Sequence, residues 1–85
     1  MIRATLLSLA AIAAITAPAM AEVTVGAMAG HTEAEVRQML TADGYEVRKV
    51  ETEDGKIEAY ALKDGKKLEV YIDASTGAVT RIKAQ

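Results

Sequence analysis

The sequence predicts a small α+β domain, with one N-terminal helix packed on a three- to four-stranded antiparallel β-meander and a cleavable signal peptide in front. Three features support this prediction: a leading apolar segment, a capped helix, and two Asp-Gly pairs ten residues apart between alternating segments. At 85 residues the chain is long enough for one small domain. We divide it into a signal peptide over 1–21, a flexible leader over 22–31 and a domain over 32–85.

The leading segment has the organisation of an export signal. Arg3 supplies a cationic start, residues 4–17 are largely apolar, and Ala19-Met20-Ala21 offers a peptidase site, which predicts cleavage between Ala21 and Glu22. The alternative is a retained membrane anchor, but an apolar run of about 14 residues is shorter than the ~20 that a spanning helix needs. We therefore expect an exported protein, periplasmic or secreted, with no membrane attachment after cleavage.

Residues 22–31 are rich in glycine and alanine, which predicts a flexible leader, and a helix over 33–43 follows it. Thr32 can accept from the backbone amide of Glu35 while the Glu35 carboxylate returns to the Thr32 amide, which is a capping box. Gly44 can end the helix in a left-handed conformation. The apolar stripe of the helix comprises Val36, Met39 and Leu40.

The second Asp-Gly pair, Asp64-Gly65, predicts a type I′ hairpin with a two-residue loop. The resulting register places apolar residues opposite each other on one face and more polar pairs on the other. The inner pairs are Ile57 with Ile72, Ala59 with Val70, and Ala61 with Leu68. The outer pairs, which we expect on a solvated face, are Glu58 with Tyr71, Tyr60 with Glu69, and Leu62 with Lys67.

The first Asp-Gly pair, Asp54-Gly55, predicts another hairpin, but its first strand breaks the two-residue period. Val47 and Val50 are three residues apart, so both can face inward only if a β-bulge occurs near Arg48 or Lys49. A three-residue loop would instead turn Val47 inward and Val50 outward. We favour the bulge. After a turn over residues 73–77, a last short strand is expected over residues 78–82, with Val79 inward.

The residue inventory argues against several chemistries. Residues 22–85 carry nine basic and twelve acidic side chains, a net charge of −3, so nucleic acid is not an expected partner. The chain has no cysteine, and its single histidine, His31, has neither the acid and nucleophile of a catalytic group nor nearby ligands for a metal. The acidic groups next to turns and the helix start are expected to cap and solvate them. We predict no catalytic residue, no cofactor and no metal.

The order of the features resembles the PepSY family of small exported bacterial domains. The resemblance covers residues 32–82 and is carried by the capped helix, Gly44-Tyr45-Glu46-Val47, the two Asp-Gly pairs and the segment Leu68-Glu69-Val70-Tyr71-Ile72-Asp73. It implies a helix laid across an antiparallel sheet. PepSY domains occur in propeptides of thermolysin-like proteases, where an inhibitory role has been proposed. The resemblance therefore implies a module that binds proteins or restrains a protease, in trans because no protease follows here.

The residues that we select as a candidate binding site are Tyr60, Tyr71, Glu58 and Glu69, because the register places them together on the outer face. Exposed aromatic side chains often anchor protein partners, although they also favour strand formation and cover neighbouring aliphatic groups. An open sheet edge could equally accept an added strand. We predict a non-enzymatic module that binds a peptidase or another periplasmic protein; the alternative is a structural or envelope-stress protein with no protease partner.

Overall fold

The computed structural model describes residues 22–85 as one helix on a four-stranded antiparallel sheet, which confirms the α+β prediction. The elements are α1 (Glu33–Ala42), β1 (Glu46–Glu53), β2 (Lys56–Lys63), β3 (Lys66–Asp73) and β4 (Val79–Ala84), and the strands lie in sequence order. Helix α1 is not at the N-terminus of the described chain, since residues 22–32 precede it. The predicted signal peptide lies outside the described residues.

Both ends of α1 are held by the local chemistry that the sequence predicts, with one difference in the cap. The Thr32 hydroxyl accepts from the Glu35 amide at 3.1 Å, but the return contact joins that hydroxyl, not the Thr32 amide, to the Glu35 carboxylate at 3.2 Å. At the other end Gly44 has φ +88°, and the Tyr45 amide donates to the Leu40 carbonyl at 2.9 Å. This hydrogen-bonded helix end directs the chain into β1.

The two hairpins have the predicted turns and the predicted register. Asp54 and Asp64 have φ of +50° and +51°, and each is followed by a glycine with positive φ, as type I′ turns require. The inner pairs of β2 and β3 are Ile57 with Ile72, Ala59 with Val70, and Ala61 with Leu68, as predicted. Ile57, Ala59, Val70 and Ile72 are all at most 1% exposed, so the apolar face of this hairpin forms the centre of the core.

A β-bulge in β1 accounts for the three-residue spacing of Val47 and Val50. The register of β1 shifts between Val47 and Lys49, so that Val47 lies opposite Ala61 and Val50 opposite Ala59. Both valines are partly buried against the core. The bulge prediction is therefore confirmed, and the three-residue loop is excluded.

The last strand, β4, begins with a buried residue and is also bulged. Val79 is 2% exposed and lies opposite Ile72, as the sequence predicts. The register then shifts, since the next pair joins Arg81 to Tyr71 and passes over Thr80. Both edge strands of the sheet are therefore irregular.

The inner face of the sheet is covered by two different segments. Among the described elements, α1 contacts β1 and β2 only. The β4 side is approached by residues 22–30, where the Gly26 amide donates to the Val79 carbonyl at 2.8 Å and the Val79 amide donates to the Ala27 carbonyl at 2.9 Å. Val23 and Ala29 are 8% and 4% exposed and belong to the core.

The packing of residues 22–30 differs from what their composition suggests. The sequence predicts a flexible leader here because small residues specify little local structure, yet the Val23 amide donates to the Tyr45 hydroxyl at 3.1 Å. Contacts with residues distant in the sequence order this segment. The domain boundary at residue 31 stays a prediction, but the described core extends to its N-terminal side.

Candidate functional site

The side of the sheet opposite α1 carries the four candidate residues in one group. Cross-strand pairing sets Glu58 beside Tyr71 and Tyr60 beside Glu69, as predicted from the hairpin register. Tyr60, Tyr71 and Glu58 are partly buried. We call these four residues the tyrosine face.

Glu69 does not lie on a solvated surface as expected: it is only 8% exposed. Its carboxylate accepts from the Tyr71 hydroxyl at 2.6 Å and from the Gln85 side-chain amide at 2.9 Å. Tyr60, the cross-strand partner of Glu69, also interacts with this carboxylate. The two donors come from β3 and from Gln85 after β4, so the carboxylate is buried with hydrogen-bond partners.

These interactions shift the pKa values of Glu69, Tyr60 and Tyr71. The Tyr71 hydroxyl lowers the pKa of Glu69, an effect opposed by burial and supported by Tyr60 and Lys83. The hydrogen bond to Glu69 raises the pKa of Tyr60 to about 12, with burial as the next cause, and the same carboxylate raises the pKa of Tyr71. Near neutral pH the tyrosines are therefore protonated donors, which makes them poor general bases.

Cationic side chains flank the tyrosine face on both sides. The Arg81 guanidinium lies 5.5 Å from the centre of the Tyr71 ring, and Lys83 is the cross-strand partner of Glu69. On β1 the Lys49 ammonium forms an ion pair with Glu51 at 2.8 Å. Two aromatic rings therefore lie within a border of charged groups, a composition that occurs in protein-binding patches.

A shallow cleft of about 230 Å³ adjoins Tyr60. The sequence did not predict this cleft, because strand pairing brings together lining residues that are distant in the sequence. Arg48 is the bulged residue of β1, and Gln85 follows the last strand. The three-residue spacing of Val47 and Val50 was the one available signal. The lining residues are Arg48, Tyr60, Ala61, Leu62, Lys67, Leu68 and Gln85.

The two sheet edges are less suited to binding than the sequence suggested. β1 and β4 are each interrupted by a bulge, and the start of the β4 edge is already occupied, since the Ala29 amide donates to the Gly77 carbonyl at 2.7 Å. Bulges and charged residues are common means of preventing strand addition at an edge. Among the predicted recognition surfaces, the geometry favours the tyrosine face.

The other polar groups considered from the sequence have structural contacts. His31 is exposed, and its Nδ1 lies 3.0 Å from the Ala74 carbonyl oxygen. The Asp73 carboxylate accepts from the Ser75 amide and hydroxyl, and these bonds lower the pKa of Asp73. Within residues 22–85, no three acidic or histidine side chains are grouped so as to hold a metal ion.

Comparison with known families adds to this geometry. The family model described as the peptidase propeptide and YPEB domain, PepSY_2, matches residues 3–83. This chain belongs to the PepSY_2 family. No match is found among curated proteins or among solved structures. The PepSY assignment confirms the resemblance inferred from the capped helix and the two Asp-Gly hairpins. In the described part of this PepSY chain, no helix has the length and apolar character needed to cross a membrane.

Proposed function

We propose that this PepSY protein is an exported, non-enzymatic binding module that holds a protein partner on the tyrosine face, and that the partner is a peptidase. The description of the family as a peptidase propeptide domain supports the class of partner. The apolar start of the sequence supports export. The observation that carries the proposal is the pair of tyrosines grouped around Glu69 on the sheet surface.

The hydrogen bond to Glu69 prepares the Tyr71 ring for binding. The Tyr71 hydroxyl donates to a carboxylate that is itself 8% exposed, so this ring has its orientation set before a partner arrives, and Tyr60 lies opposite the same residue. Ordering a side chain on binding costs about 0.5–1.5 kcal/mol, and this cost is reduced where the side chain is already fixed. Tyrosines in fixed positions are frequent among the residues that dominate binding free energy.

The acid-base state of the face supports binding over catalysis. A tyrosine hydroxyl is protonated near neutral pH even at its ordinary pKa of 10.0, the raised pKa values of Tyr60 and Tyr71 move both further from ionisation, and the Tyr71 hydroxyl already donates to Glu69. An enzyme would need a reactive group poised to exchange a proton or attack a substrate. We therefore propose a module that restrains its partner by contact.

The test combines binding with inhibition. The exported protein, purified from the periplasm of a bacterial host, is immobilised and exposed to periplasmic extract, and hydrolysis of casein by that extract is followed with and without it. The proposal expects a retained peptidase and slower hydrolysis. If these rings anchor the complex, a Tyr60→Ala/Tyr71→Ala variant should bind the peptidase at least tenfold more weakly. It should slow casein hydrolysis correspondingly less.

The matched control is Met28→Ala, because Met28 is an exposed apolar residue, 63% accessible, outside the tyrosine face. Circular dichroism of each variant verifies that the sheet is retained. If the double tyrosine variant inhibits as well as the parent, the tyrosine face is not the binding surface. If the parent retains no protein and leaves hydrolysis unchanged, the structural or envelope-stress alternative replaces the proposal.

A further inference from the structure

The cleft beside Tyr60 combines an apolar floor with two cations. Tyr60 and Leu62 are neighbouring outward residues of β2 and are partly buried, whereas Arg48 and Lys67 are exposed. No acidic residue is among those that line the cleft. Because residues 22–85 have a net charge of −3, this is a locally cationic site on an acidic domain.

The two cations come from strands on opposite sides of β2. Arg48 lies in β1 at the bulge beside Tyr60 and Ala61 of β2, whereas Lys67 lies in β3 opposite Leu62 of β2. Two strand spacings separate their backbones by about 10 Å. In an extended peptide only alternate side chains share a face, so two carboxylates four positions apart, about 13 Å along the backbone, flank an apolar residue on the side that meets the cleft. The long side chains of Arg48 and Lys67 can cover the difference from the backbone separation.

Two acidic groups of the domain lie beside the cleft without closing it: Glu69, whose carboxylate is hydrogen-bonded to the lining residue Gln85, and Glu46. The Glu46 carboxylate lies 3.4 Å from the Arg48 Nε, and the two side chains are 66% and 60% exposed. Exposed ion pairs of this kind are weak and exchange readily with solvent. Lys67 makes no salt bridge within residues 22–85. Both cations are therefore available to an incoming carboxylate.

We infer that this cleft binds an acidic segment of the protein partner, with an apolar residue on Tyr60 and Leu62 and its carboxylates on Arg48 and Lys67. The inference rests on the proposed function, because it names the chemistry that a partner presents next to the tyrosine face. Complementary charge at such a site sets the orientation of a partner more than its total affinity.

The inference is tested on the exported protein by titration with acetyl-Glu-Ser-Leu-Ser-Glu-amide, followed by two-dimensional NMR of the backbone amides. The blocked ends leave the side-chain carboxylates as the only charges on the peptide. We expect shifts at Leu62, Lys67 and Gln85 that decrease at high salt, since exposed charge pairs are screened. The acetyl-Gln-Ser-Leu-Ser-Gln-amide and acetyl-Glu-Ser-Ser-Ser-Glu-amide peptides should both bind more weakly.

Single substitutions test the assignment of each charge. Arg48→Gln and Lys67→Gln should each weaken binding of the acidic peptide by about two- to fivefold, the effect of one exposed ion pair. Lys66→Gln removes the same charge from the adjacent residue, which does not line the cleft, and is the matched control. Glu46→Gln should strengthen binding by removing the internal competitor, with Glu53→Gln at the far end of β1 as its control.

The outcomes separate this inference from the proposed function. Equal binding of the Glu and Gln peptides, or equal effects of Lys67→Gln and Lys66→Gln, would overturn the inference. If the Tyr60→Ala/Tyr71→Ala variant still loses its protein partner in that case, the proposed function stands and only the chemistry assigned to the cleft is wrong.

Discussion

The Tyr71 hydroxyl donates a 2.6 Å hydrogen bond to the carboxylate of Glu69, two residues before it on the same strand. Alternate residues of a strand share one face, so the tyrosine side chain can fold back over the acid. Together with Tyr60 and Gln85 it keeps a charged carboxylate stable at 8% exposure. The domain therefore has an ordered polar cluster outside its apolar core, at the site that we propose for binding.

We predict that Glu69 contributes to unfolding of the domain in acid. Its pKa is lowered on folding, first by the Tyr71 hydrogen bond, so its stabilising effect is present above the ordinary value of 4.5 and is lost as the pH falls through the folded value. Glu69→Gln should therefore show a flatter dependence of unfolding free energy on pH below about 5. Urea denaturation at a series of pH values measures this.

The control for the acid experiment is Tyr71→Phe, which removes the largest cause of the lowered pKa and should flatten the same slope in part. Asp73 keeps some acid sensitivity in both variants, because its pKa is lowered by Ser75. If Glu69→Gln and the parent lose stability in parallel as the pH falls, the cluster does not hold the charged carboxylate as described.

We predict that Tyr60 ionises at a higher pH than an ordinary tyrosine. The Glu69 hydrogen bond raises the pKa of Tyr60 to about 12 from an ordinary 10.0, so the stabilisation from its protonated hydroxyl is complete below pH 10 and is lost as the pH rises towards 12. The ultraviolet absorbance of tyrosinate should lose its step near pH 12 in Tyr60→Phe. Circular dichroism is recorded alongside to verify that the fold persists, and a Tyr60 step near pH 10 in the parent would contradict the prediction.

The contribution of the N-terminal segment can be measured with two valines. Val23 is 8% exposed and Val25 is 61% exposed, although they are two residues apart. We expect Val23→Ala to lower the free energy of unfolding by about 1 kcal/mol, and Val25→Ala to change it by less than about 0.5 kcal/mol. Chemical denaturation gives both values. Equal effects would mean that residues 22–30 do not pack on the sheet in solution.

The centre of the core should be more sensitive than this segment. Val70 is fully buried opposite Ala59 in the middle of the sheet, so Val70→Ala leaves a cavity and should cost about 1–3 kcal/mol. Thermal and urea unfolding measure the loss, with Val25→Ala as an exposed control of the same chemistry. A Val70→Ala midpoint that matches the control would show that the inner face is not packed around this residue.

Much of the fold could be read from local chemistry. The Asp-Gly pairs specify turns because both of their residues must take positive φ, and turn length then determines which residues face each other. The bulge was indicated by Val47 and Val50, whose spacing conflicts with a regular strand. These features depend on residues close together in the sequence or paired through a short turn.

The candidate site was predicted only in part. Strand alternation assigns a residue to one face of the sheet but does not determine how exposed to solvent that face is. Tyr60, Tyr71, Glu58 and Glu69 were placed together correctly. The buried Glu69 carboxylate accepts from Gln85, sixteen residues away, as well as from Tyr71. The cleft beside Tyr60 likewise needs residues from three strands and the C-terminus, and no local pattern brings those together.

By itself, the amino-acid sequence determined the helix with its ends, the two hairpins, their register and the membership of the PepSY_2 family. Only the tertiary structure decided that residues 22–30 complete the core and that Glu69 is buried. The physical reason is the range of the interactions. Turns and strand alternation are set within a few residues, whereas the contact of Val23 with Tyr45 and that of Glu69 with Gln85 exist only after the sheet has brought distant residues together.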